Sequence, residues 1–156
     1  MAVNPIREGF NTLSPYIVVD GAEKAIEFYK KAFGAELVDI SKGPDGKVMN
    51  AQLKIGNSMM MLNDEFPDWG SVGPNKMGGS PVTIHLSVED VDTVWKNAVA
   101  AGAEITMPLA DQFWGDRYGS LKDPFGHKWS MSTHIADPTP EEMEEAMQKA
   151  MAGMEH

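Results

Sequence analysis

Two groups of residues in this 156-residue chain have types and spacings that could do chemistry. The first is centred on His85. Along residues 81–88, Thr83, His85 and Ser87 alternate with Val82, Ile84, Leu86 and Val88. As a strand, this stretch sets an imidazole between two hydroxyls on one face and presents an aliphatic face to a core. An imidazole titrates near neutrality, which suits a general base or a hydrogen-bonding contact to a ligand. A histidine merely hydrogen-bonded within a cleft is the plainer alternative. The second group is Trp114, Asp116, Arg117 and Tyr118. Aromatics beside one acid and one base suit a pocket that stacks a planar or cationic group and fixes it by hydrogen bonds. The same residues would equally serve a loop pinned by an Asp116–Arg117 contact. His127 and Phe125 read as builders of a turn, while His134 and His156 carry no signal.

The elements that must position these groups follow from periodicity. Leu13 to Val19 alternates imperfectly and predicts a strand with Ser14 and Tyr16 on one face. Asp20-Gly21-Ala22-Glu23 has the form of a capping box, with Asp20 as N-cap. Ala22, Ala25, Ile26, Tyr29 and Phe33 then form one apolar helical stripe, closed by Gly34. Three strands follow, at 35–41, 47–55 and 58–62, and Asn50 and Gln52 alternate with apolar neighbours on the middle one. Residues 63–80 are rich in glycine and proline and read as a linker. Residues 81–88 restart the pattern. Glu89-Asp90 caps a helix carrying Val91, Val94, Trp95, Ala98 and Ala101, closed by Gly102, and strands follow at 103–106, 117–122 and 127–134. Thr139-Pro140-Glu141-Glu142 opens a last helix, whose Met143, Met147, Met151 and Met154 form a stripe. Such a stripe packs on the domain or on a partner chain, or offers an adaptable binding surface.

The restart is an internal repeat. Ser14 and Thr83, Ala22 and Val91, and Ala25 and Val94 each lie 69 residues apart. After one residue is lost within the helix, Gly34-Ala35-Glu36 matches Gly102-Ala103-Glu104 at a spacing of 68. Two copies of one unit imply a shared core, each burying what the other exposes. The expected class is therefore α+β: two βαβββ modules, at about 13–62 and 81–135, within one domain spanning 1–136. A C-terminal amphipathic helix occupies 137–156.

Bulk composition narrows the functional classes. A formal charge of −10 opposes nucleic-acid binding, which needs clustered Lys and Arg. The absence of cysteine excludes disulfides, zinc–thiolate sites and cysteine nucleophiles. No run of about 18 apolar residues exists, and residues 1–5 lack the apolar core of a signal peptide. The expectation is a cytoplasmic protein with no membrane partner.

Three motifs carry a family resemblance: Ala25-Ile26-Glu27-Phe28-Tyr29 with Gly34-Ala35, Leu86 to Val91, and Asp123-Pro124-Phe125-Gly126-His127-Lys128-Trp129. Together with the repeat, they resemble the vicinal oxygen chelate superfamily, which includes glyoxalase I, extradiol dioxygenases and the fosfomycin- and bleomycin-resistance proteins. Gln112 to Gly119 resembles the PhnB-like subgroup. The resemblance implies modules curled into a mixed-sheet cleft, a homodimer, and a small organic ligand. It also implies metal ligands on the first and last strands of each module. Carried over by position, these fall at Ser14, at Met60 or Met61, at Thr83 and at Ser130. None is a good ligand for a hard divalent ion. No cofactor is therefore expected, and Ser14, Tyr16, Asn50, Gln52, Thr83, Trp114, Asp116, Arg117, Tyr118 and Ser130 are the expected ligand-binding residues, with His85 as the candidate catalytic group. The functional expectation is sequestration or metal-independent chemistry. The alternative is a metal-dependent lyase, isomerase or dioxygenase of glyoxalase type with displaced ligands, a divalent ion being held by His85 and a carboxylate of a partner chain.

Overall fold

A computed structural model describes residues 2–154, so His156 lies outside the described residues. The repeat is realised strand for strand. Module one contains β1 (Tyr16–Val19), α1 (Ala22–Phe33), β2 (Glu36–Lys42), β3 (Val48–Ile55) and β4 (Ser58–Asp64). A 3-10 turn (Pro67–Trp69) and the short helix α2 (Pro74–Met77) occupy the connection predicted as a linker. Module two contains β5 (Thr83–Ser87), α3 (Val91–Ala101), β6 (Glu104–Asp111), β7 (Asp116–Lys122) and β8 (Lys128–His134). Helix α4 (Pro140–Met154) ends the described chain, with Thr139 Oγ1 accepting from the Glu142 amide as the capping pattern predicts.

Each module forms its own four-stranded sheet, in the orders β1-β4-β3-β2 and β5-β8-β7-β6. The first strand of each pairs parallel with the last, and the other pairs are antiparallel. The two sheets do not close into one, and β1 and β5 each sit at an edge. Strand alternation divides each sheet into two faces. Ile17, Val19, Ala51, Leu53, Met60 and Leu62 point into the core on one side of the first sheet, and Leu121, Trp129 and Met131 do so in the second. The helices cover these faces, with α1 and α3 against one another. The shared core predicted from the repeat lies there, where the rings of Tyr29 and Phe33 meet Trp129 at centroid distances of 5.5 and 4.6 Å.

One cap differs from its prediction. Asp20 does not cap α1: the cap position is Gly21, in the left-handed region at φ 99°, and its neighbour Ala22 donates its amide to Asp64 Oδ1 at 2.7 Å. Asp64 Oδ2 also accepts from the Val48 amide. A local Asp was outcompeted by a carboxylate arriving from the end of β4. Module two repeats the arrangement 69 residues on, where Thr133 Oγ1 accepts from the Val91 amide. There the local cap is also present, since Asp90 accepts from the Thr93 amide as predicted.

The modules are locked by one buried carboxylate. Asp123, 3% exposed, accepts from the Tyr29 hydroxyl at 2.5 Å and from Trp129 Nε1 at 2.8 Å through Oδ2. Its Oδ1 accepts from the Phe125 and His127 amides, both at 2.9 Å. Burial, and then the neighbouring Asp123 carboxylate, push the Tyr29 phenol well above its ordinary value, so it stays protonated as a donor. His127 does more than build a turn: its Nε2 donates to the Val18 carbonyl across the module boundary at 2.8 Å.

Candidate functional site

The open face of the second sheet gathers most of the predicted residues. Parallel register sets His85 beside Ser130 and Ser87 beside Ser132, while the antiparallel pair β7–β8 sets Ser120 opposite Ser130 and Tyr118 opposite Ser132. His85 is consequently flanked by hydroxyls at both ring nitrogens: Ser130 Oγ lies 2.7 Å from Nδ1 and Ser132 Oγ lies 3.0 Å from Nε2. Ser130 and Ser132 are buried beneath it, while His85 itself is exposed. The Tyr118 ring stacks on the imidazole at 5.8 Å and 15°, and Trp114 meets Tyr118 edge-on at 5.7 Å. Thr106 on β6 and Ser120 on β7 add a further pair of hydroxyls. Thr83 belongs to this face by register, next to Lys128.

A neutral imidazole has one N–H and one lone pair. One serine therefore accepts from the ring and the other donates to it, so the pair holds the ring plane against Tyr118. The arrangement suits binding a planar group beside a fixed imidazole. It lacks an acid behind the imidazole, as a nucleophile–base–orienter series would require.

Three placements differ from the sequence expectations. Arg117 does not join the cluster. Its register partner is Thr133, on the helix-covered side, and its guanidinium binds Asp92 of α3 and Asp111 instead of Asp116. These two carboxylates raise its pKa, with the Asp92 hydrogen bonds the larger cause. Asp116 instead accepts from Trp114 Nε1 at 3.0 Å and from His134 Nδ1 at 2.9 Å. Lastly, Tyr16, Asn50 and Gln52 stand on the open face of the first sheet, where Asn50 Nδ2 donates to the Tyr16 hydroxyl at 3.1 Å. Among the described residues, no side-chain hydrogen bond or ring contact joins this group to the His85 group. Ser14 lies ahead of β1, in a segment whose Leu13 and Pro15 line a cavity of about 730 Å³. The far wall of that cavity is the free edge of β5, with His85 and Trp129 among its lining.

Sequence reasoning missed Ser132 and His134. The signal for Ser132 was present, since Lys128, Ser130, Ser132 and His134 alternate with Trp129, Met131 and Thr133. His134 had none, because its partner Asp116 comes from the neighbouring strand, 18 residues away.

Register also settles which methionine holds the family ligand position. Met61 pairs with Tyr16 as Ser130 pairs with His85, whereas Met60 points into the core. The four positions are thus Ser14, Met61, Thr83 and Ser130. Two alcohols, a thioether and a further alcohol do not fit a hard divalent ion. Among the described residues, no three His, Asp or Glu side chains are placed to hold one metal ion. No helix there is long and apolar enough to cross a membrane.

Residues 9–131 match the family described as the Glyoxalase/Bleomycin resistance protein/Dioxygenase superfamily. An uncharacterised protein of Mycobacterium tuberculosis is 47% identical over 138 residues, covering 86% of this chain and 81% of that protein. A PhnB protein from Bacillus cereus, 22% identical, superposes with a TM-score of 0.62 over 79% of this chain and 99% of its own. The fosfomycin resistance protein FosX of Listeria monocytogenes, solved with Mn(II) and dihydroxypropylphosphonic acid, is 15% identical with a TM-score of 0.60, covering 85% of this chain and 95% of its own. At these identities, the two solved structures speak for the fold.

Proposed function

Because the chain belongs to the Glyoxalase/Bleomycin resistance protein/Dioxygenase superfamily, we propose that the open face around His85 binds a small organic molecule without a metal at the family's ligand positions. The observation that carries this reading is the pairing of a built polar and aromatic face with an unsuitable donor set. His85, Ser130, Ser132 and Tyr118 are mutually held, while Ser14, Met61, Thr83 and Ser130 cannot replace imidazole and carboxylate as ligands.

The net charge of the chain favours an uncharged or cationic planar ligand over an anionic one, with Lys128 beside Thr83 as a local cation on the same face. Arg117 is turned away and paired with two aspartates, and Lys122 is paired with Glu104. The whole chain carries −10, so a phosphonate of the kind bound to FosX would meet an unfavourable field. The His85–Tyr118–Trp114 rings would supply stacking surface, and the serine-held imidazole a hydrogen bond.

The assembly is read as a homodimer. The free edges of β1 and β5 and the absence of any buried residue in α4 both leave surface for a second copy.

A thermal-shift and ligand-observed NMR screen of planar aromatic fragments in excess EDTA tests the binding reading. The expected result is binding that weakens roughly tenfold or more in His85→Ala and in Tyr118→Ala, equivalent to at least about 1.4 kcal/mol. Turnover of a hemithioacetal that depends on Ni²⁺, Zn²⁺, Mn²⁺ or Fe²⁺ and is lost in His85→Ala would replace this reading with the metal enzyme.

A further inference from the structure

We propose that His134 and Asp116 are positioning residues that form a pH-sensitive clasp, fixing Trp114 above the His85 face and fastening the C-terminal segment to the β6–β7 turn. The geometry is a closed set of contacts between two segments that are distant in sequence. Asp116 divides its carboxylate: Oδ2 accepts from Trp114 Nε1 at 3.0 Å, and Oδ1 lies 2.9 Å from His134 Nδ1. The other ring nitrogen of His134, Nε2, lies 2.7 Å from Asp137 Oδ1. Among the described residues, Asp116, on β7, and Asp137, beyond β8, are the charged groups that bond to the ring. The backbone completes the join, since the Gly115 carbonyl accepts from the Ile135 amide at 2.8 Å and the Ala136 amide at 3.0 Å. The fit leaves no room for a side chain at Gly115, where φ is 100° and a Cβ would stand 2.1 Å from the Ala136 carbonyl oxygen.

The switch follows from donor counting. An imidazolium has two N–H groups and satisfies both carboxylates. A neutral ring has one, and its lone pair then faces an anionic oxygen, so one contact must open. The hydrogen bond to Asp116, and then that to Asp137, raise the His134 pKa above the ordinary histidine value. Because the folded value is raised, the clasp is fully made below about pH 6.5 and is lost as pH climbs through the folded value. Loss at Asp116 frees the carboxylate that orients Trp114, whose ring edge rests on Tyr118 and, through it, on His85. That this governs ligand affinity rests on the binding reading of the same face, whereas the clasp itself can be tested without a ligand.

The experiment is a pH titration of the intact protein by NMR, following the His134 ring, the Trp114 indole N–H and amide exchange at Ile135 and Ala136. The expected result is a Trp114 indole signal that moves with the midpoint of His134, and exchange at Ile135 that quickens roughly tenfold above the midpoint once intrinsic pH dependence is removed. In Asp137→Asn the midpoint should fall, and in His134→Gln the indole signal should stop moving in that range. An indole signal that stays flat while His134 titrates, or that moves unchanged in His134→Gln, would overturn the clasp. Fragment binding at the His85 face that fails at every pH, with the indole still tracking His134, would overturn the binding reading alone.

Discussion

Asp123 has the greatest structural consequence of any single residue. It is one carboxylate accepting four hydrogen bonds, two of them from buried side chains of Tyr29 and Trp129. Asp123→Ala leaves those donors without a partner in the core, which costs roughly 2–4 kcal/mol. For a chain of this size that corresponds to a melting temperature about 4–16 °C lower, measurable by calorimetry. Tyr29→Phe removes one of the four bonds and an unsatisfied group together, so it should cost only about 1 kcal/mol. Equal losses in the two variants would show that Asp123 does not act as the lock. Asp123 was legible as part of a turn motif, but its partner Tyr29 lies 94 residues away, and nothing in local spacing announces such a pairing. His85 was legible because strand alternation alone places it among hydroxyls. Arg117 was misplaced because the reading joined neighbours in sequence, whereas consecutive strand residues face opposite sides of a sheet.

Between elements, the instructive contact is the one that starts each helix. Asp64 at the end of β4 binds the first amide of α1 and the Val48 amide of β3, and Thr133 at the end of β8 binds the first amide of α3. Asp64→Ala should destabilise the protein by roughly 1–2 kcal/mol, since it removes a cap and a strand anchor together. Asp20→Ala, the substitution that local capping rules would single out, should fall within about 0.5 kcal/mol of wild type. Urea denaturation of both variants decides between them, and the reverse order would restore the local cap. Helix existence was readable from apolar spacing, and helix ends from Gly34 and Gly102, both left-handed here. The true cap of α1 was not readable, because the sheet delivers it from 42 residues downstream.

For the whole molecule, the repeat was the part of the fold most open to reading. An offset of 69 residues, changing to 68 where one residue is lost within the helix, leaves little freedom except how the two units meet. That meeting is made by α1 against α3 and by an aromatic cluster, leaving the edges at β1, β2, β5 and β6 unpaired and two polar faces uncovered. If a second copy covers these edges, the protein should elute and scatter light as a dimer of about 34 kDa from its chain mass of 17.1 kDa. A monomer throughout the micromolar range would contradict the proposed assembly.

We propose that the His85 face takes up an organic molecule with no metal at the ligand positions. Native mass spectrometry coupled to metal analysis tests it most directly, with the protein chelated and then offered a library of planar aromatic fragments. The expected result is far less than one metal per chain before chelation, one fragment per chain after it, and loss of that adduct in His85→Ala. A stoichiometric divalent metal whose removal abolishes fragment binding would contradict it.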